Sequence, residues 1–66
     1  EDRDQMWQAL EELPARQRAA IVLRYYEDLS EATIADLLKC RPGTVKSLLS
    51  RGLEGMRNHI RGETDE

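Results

Sequence analysis

Around residues 37–52, "LLKCRPGTVKSLLSRG", the chain stops one helical pattern and starts another with almost no room to turn. An apolar helical period ends at Leu38, Cys40, Pro42 and Gly43 interrupt it, and Val45, Leu48 and Leu49 resume the period at once. Pro42 cannot continue a helix but is well suited to open one, because its missing N–H costs nothing in a first turn. A connection of three or four residues forces two helices to cross steeply. The first then braces the second and leaves the second's N-terminal turns projecting into solvent.

The rest of the chain supplies the partners for such a pair. Met6, Leu10 and Leu13, with Trp7 beside them, form one stripe that predicts a first helix over about residues 4–12. Leu13-Pro14 ends it, since a residue before proline is pushed out of the helical region, and Pro14 can be the first residue of a second helix. That helix runs through "ARQRAAIVLRYYED", where Ile21, Val22, Leu23, Tyr25 and Tyr26 are dense enough to predict burial on much of its circumference. Ser30 then caps a third helix of about nine residues, with Glu31 in its first turn and Leu29 and Ile34 at the positions of a hydrophobic staple.

The fourth helix extends from near Pro42 to about Ile60, followed by a frayed acidic end. Val45, Leu48, Leu49, Gly52, Leu53, Met56 and Ile60 share one sector of roughly 140°. The opposite side collects Thr44, Lys46, Ser47, Ser50, Arg51 and Arg57. The expected fold is all-α: four helices in one domain, with Leu10, Leu13, Leu23, Ile34, Leu37, Val45, Leu49 and Met56 in a shared core.

Charge divides this chain of 66 residues unevenly. Its net charge of −3 conceals a first part, residues 1–38, at −5, a segment 39–61 at +5, and an acidic tail. A domain this small buries only about 60% of its unfolded surface, which leaves little room for an elaborate active site. Ser30, Ser47, Ser50 and His59 show no spacing of nucleophile and base, and His59 reads as a surface residue, so no enzyme and no small-molecule substrate are expected. The single cysteine, Cys40, excludes an internal disulfide, and one Cys with one His falls short of a zinc site. Cys40 therefore reads as a small buried apolar residue, with no metal and no cofactor expected. No apolar run approaches the ~20 residues of a membrane span, and the start "EDRDQ" is unlike a signal peptide. We expect no membrane contact and a cytoplasmic location. The chain begins without Met, which suggests a piece of a longer protein.

A short helix, a tight turn and a longer helix with a basic front make the helix-turn-helix pattern, here at about residues 30–61. Such a front fits the major groove of DNA, where the helix N-terminus also meets phosphates. Arg41, Thr44, Lys46, Ser47, Ser50 and Arg51 are the candidate DNA contacts. Arg51 is the expected base reader, because a guanidinium pairs with guanine O6 and N7. Lys46 and Arg41, nearer the helix start, are expected on phosphates, and Thr44 fits either a phosphate contact or a cap.

The run from Leu13 to Arg57 resembles region 4 of bacterial sigma factors, in particular the extracytoplasmic-function group. Leu13, Pro14 and Arg18 match the start of the pattern; Leu23, Arg24 and Tyr25 its apolar middle; Asp28, Leu29, Ser30 and Ala35 the next segment; and residues 43–47, G-T-V-K-S, its end. The resemblance extends over about residues 6–61, and residues 1–66 read as one such domain. It implies docking on the promoter −35 element, with another surface holding the flap of the RNA polymerase β subunit and catalysis left to the polymerase. An acidic, apolar half suits a protein partner and a basic half suits DNA. Trp7, Val22 and Tyr26 are the candidate interface with polymerase or with an anti-sigma factor, unless the core encloses all three. The family often has Gly where this chain has Lys39, Ser where it has Arg41, and Arg where it has Leu48.

Two other readings fit the helix-turn-helix. A LuxR-like output domain of a transcriptional regulator would bind as a dimer on symmetric sites, and a pure interaction module would be bound by an anti-sigma factor.

Overall fold

The computed structural model describes residues 2–64, and side chains from 4 to 62. Helix α1 spans Asp2–Glu11, α2 Ala15–Ile21, α3 Glu31–Leu38 and α4 Pro42–Thr64, with a π-helical turn, Val22–Tyr26, extending α2. No strand occurs among the described residues, as expected of an all-α, four-helix domain.

Helix α4 is the spine. At 23 residues it should measure about 34 Å, and the domain extends 39 × 18 × 14 Å, so this helix sets the long dimension. Helices α1, α2 and α3 all pack on it. Ala9, Leu10, Leu13, Ala20, Ile21, Ile34, Ala35, Val45, Leu49 and Met56 form the buried core. Its apolar sector faces the other three helices, while Thr44, Lys46, Ser47, Ser50, Arg51 and Arg57 are exposed on the far side.

Several expectations need correction. Leu37 is 56% exposed and does not belong to the core. Helix α3 has only eight residues and turns Ile34, Ala35 and half-buried Leu38 inward, an arc of about 100°. Leu37 lies on the other side of Ile34 from that arc. Leu23 is half-buried against the core rather than enclosed by it. His59 is half-buried and not an open surface residue. Helix α4 continues to Thr64, past Gly62 and the expected end near Ile60.

The second helix departs furthest. Pro14 is not its first residue but its N-cap, extended at φ −56°, ψ 150°, with its carbonyl accepting the Arg18 N–H at 3.0 Å. The helix widens after Ile21 into π geometry, in which the Glu27 N–H donates to the Val22 carbonyl five residues back (3.1 Å), and beyond it the Leu29 N–H reaches back to the Leu23 carbonyl (3.0 Å). Asp28, in the left-handed region at φ 60°, closes that end. The widened turn leaves Tyr25 and Tyr26 exposed, so the apolar run is not buried around its circumference.

Arginines on this helix bind the carbonyl ends of neighbouring segments. Arg18 Nη1 donates to the Glu11 carbonyl (3.3 Å), Arg16 Nη2 to the Leu38 carbonyl (3.1 Å) and Arg24 Nη1 to the Leu29 carbonyl (3.2 Å). The ends of α1 and α3 thereby gain donors that their own helices cannot supply.

Candidate nucleic-acid interface

The tight break is built from two backbone hydrogen bonds. Lys39 adopts the left-handed conformation, φ 57° and ψ 52°, and its N–H donates to the Asp36 carbonyl (3.3 Å). The Cys40 N–H donates to the Ala35 carbonyl (3.0 Å). This pair of bonds is the Schellman motif, in which the residue after the left-handed one packs back on the helix it ends. Cys40 does so, partly buried against the core. It packs on the core as an apolar residue would, but half-buried rather than buried as expected.

Two residues later the next helix begins. The Arg41 carbonyl accepts the N–H groups of Thr44 (2.9 Å) and Val45 (3.2 Å), which makes Arg41 the N-cap of α4. Only Arg41 therefore separates the bonded end of α3 from Pro42. Val45, fully buried, pins this first turn to the core. Gly43 stands in open space, with nothing within 4 Å of where a β-carbon would be.

The structure brings all six predicted DNA contacts to one exposed front. Arg41 caps it, Thr44 occupies the third helical position, and Lys46, Ser47, Ser50 and Arg51 follow over the next two turns. The front is not a set of free cations, however. Lys46 Nζ lies 3.0 Å from Glu31 Oε1, the first residue of α3. Neither residue type nor spacing in the sequence singled out Glu31 as that partner, because only the crossing of α3 on α4 brings them together.

On another side of the domain, Met6, Ile21, Tyr25, Tyr26, Leu53 and Met56 line an apolar groove of about 330 Å³. Trp7 packs on Tyr26 with ring centroids 5.6 Å apart and planes tilted by 49°, and the Arg24 guanidinium lies 5.9 Å from the Tyr25 ring centroid. Of the three residues expected at a protein interface, Trp7 (45% exposed) and Tyr26 (49%) are outside the core, while Val22 is half-buried against it. Met6, Tyr25 and Leu53 share the groove and were not among the expected interface residues. Leu53 lies at the edge of the apolar stripe of α4, whereas Met6 lies within that of α1, one turn before buried Leu10.

A small all-helical domain with a basic helix projected by a tight turn defines a helix-turn-helix class of DNA-directed module. Residues 3–56, most of the chain, match the family model described as "Sigma-70, region 4". The chain belongs to the sigma-70 region 4 family. It is 39% identical over 54 residues to the ECF RNA polymerase sigma factor SigW of Bacillus subtilis, covering 82% of this chain and 29% of that protein. It is 41% identical over 56 residues to the RNA polymerase sigma factor SigV of Bacillus subtilis (85% and 34%) and 37% identical over 59 residues to an RNA polymerase sigma-E factor of Streptomyces coelicolor (89% and 33%). The chain spans about a third of the length of the curated relatives it matches.

Proposed function

We propose that this chain is the promoter-reading domain of a sigma factor of the extracytoplasmic-function group, acting in the cytoplasm within RNA polymerase. Helix α4 enters the major groove of the −35 element. Residues 1–66 act as one such region, and the polymerase performs the chemistry. The observation that carries this reading is the single exposed front formed by Arg41, Thr44, Lys46, Ser47, Ser50 and Arg51 on and before the first turns of α4, behind a bonded tight turn, in a chain of the sigma-70 region 4 family.

Within that front, Arg51 reads base edges and Arg41 anchors a phosphate at the helix start. Lys46 faces the same groove, with its charge already opposed by Glu31. The apolar groove at Tyr26, next to Trp7, receives the flap of the polymerase β subunit, and an anti-sigma factor would compete for it. Exposure of Trp7 and Tyr26 supports an interface rather than a core role. The match to sigma region 4 favours this reading over a LuxR-like output domain.

Promoter binding by polymerase carrying the protein tests it, comparing Arg51→Ala with Arg41→Ser. Arg51→Ala should cost about 1–3 kcal/mol of discrimination at one base position of the −35 element. Arg41→Ser should weaken all sequences alike and flatten the salt slope by about one. Folded variants that both bind like wild type would remove α4 from the DNA.

A further inference from the structure

The two halves of the Glu31–Lys46 pair differ in how far they are exposed. Glu31 opens α3 in a turn that is bonded twice: the Thr33 N–H donates to Ser30 Oγ (3.1 Å), and Ser30 Oγ donates to Thr33 Oγ1 (3.0 Å). The helix dipole also favours a carboxylate there. The Glu31 side chain is 33% exposed, whereas that of Lys46 is 70% exposed on the outward front of α4. The acid is the more sheltered half, on a capped helix start, and the base is the half presented to solvent.

We infer that Glu31 is a specificity-determining positioning residue for the DNA interface proposed above: it is the built-in counter-ion of Lys46 and removes that lysine's indiscriminate pull on phosphates. The inference rests on the DNA-reading role of α4. A solvated lysine gains by releasing condensed counter-ions from any duplex. Lys46 already has an opposing charge 3.0 Å away, so a phosphate can take its ammonium only by displacing Glu31 or by approaching a carboxylate. Like-charge repulsion opposes both. An ammonium has three donors, and holding Glu31 with one leaves others for a neutral acceptor such as guanine O6 or N7. A duplex with such an acceptor in reach keeps the ion pair and gains a bond. One without it meets the repulsion and gains little. The pair thus trades general affinity for discrimination.

The test uses polymerase reconstituted with the protein carrying this chain, a duplex enriched by that wild-type complex from a randomised pool, and a scrambled duplex of equal composition. Binding is measured between 50 and 200 mM salt for wild type, Glu31→Gln, Lys46→Ala and the double variant, with thermal melts confirming that each is folded. Glu31→Gln should tighten the scrambled duplex more than the enriched one. It should also steepen the salt slope by about one, an extra loss of about 3.5-fold over that range. Lys46→Ala should hardly change the slope in the wild-type background but lower it by about one in the Glu31→Gln background. A loss of about one in both backgrounds, or equal tightening of both duplexes by Glu31→Gln, overturns the role given to Glu31 while leaving the DNA reading intact. Failure of the wild-type complex to enrich any sequence at the position facing α4 would overturn both.

Discussion

The side chain of Ile21 occupies the space where a β-carbon on Gly52 would have to sit. An added carbon would lie 2.6 Å from Ile21 Cδ1, 3.2 Å from Ile21 Cγ1 and 3.6 Å from Gln17 Cβ. Helix α2 therefore packs close on α4 at this point, and a β-carbon there would force the buried Ile21 side chain to shift. Gly52→Ala should destabilise the domain by about 1 kcal/mol, overpacking of ~1–3 kcal/mol outweighing the ~1 kcal/mol that alanine adds to a helix. Gly43→Ala, in open space, should leave stability unchanged or raise it. Chemical denaturation of the two variants gives the comparison, and equal stabilisation by both would contradict the close approach.

Leu37 and Val45 offer a second contrast. Val45 is fully buried at the first turn of α4, and its truncation to Ala should cost about 2 kcal/mol. Leu37→Ala removes a larger side chain but one that is 56% exposed, so the change should stay within about 0.5 kcal/mol. Thermal melts decide the matter, and a large loss for Leu37→Ala would show α3 rotated from the orientation described.

The left-handed backbone at Lys39 is strained for a residue with a β-carbon. Lys39→Gly removes that strain and keeps both backbone bonds that end α3, and we expect a gain of about 0.5–1 kcal/mol after the greater freedom of glycine in the unfolded chain is allowed for. Lower stability would mean that the Lys39 side chain holds the turn by contacts other than its backbone.

At the apolar groove, Tyr26→Ala removes the ring that packs on Trp7 while leaving the buried core in place. The pair itself is worth about 0.5–1.5 kcal/mol beyond the area that the half-exposed ring buries, so the loss of stability should stay below the ~3–5 kcal/mol of a fully buried aromatic. Binding to a peptide with the sequence of the polymerase flap helix should weaken at least about tenfold, as expected for a central aromatic anchor. An intact circular-dichroism melt with unchanged peptide affinity would move the docking surface elsewhere.

Much of the fold is legible in the chain because local rules act locally. Ser30 caps α3 as its residue type predicts, accepting the Thr33 N–H, and Pro42 opens α4. The apolar sector of α4 faces the other helices because 23 residues at a constant angle per residue keep a wide stripe in register. The exposed basic front follows from the same periodicity.

What the sequence by itself determined is thus the number of α-helices, the break between α3 and α4, and the face of α4 that stays wet, but not the π-helical turn that ends the second helix. Only the tertiary structure decided that Leu37 is exposed, that Tyr25 and Tyr26 border a groove, and that Glu31 meets Lys46. Each of these depends on how one helix crosses another, through contacts between residues far apart in the chain, such as Ile21 against the backbone of Gly52. Periodicity states which side of a helix is apolar. Whether a residue at the edge of that side is covered depends on the distance and angle of the neighbour, and those are set by close contacts that no local pattern contains.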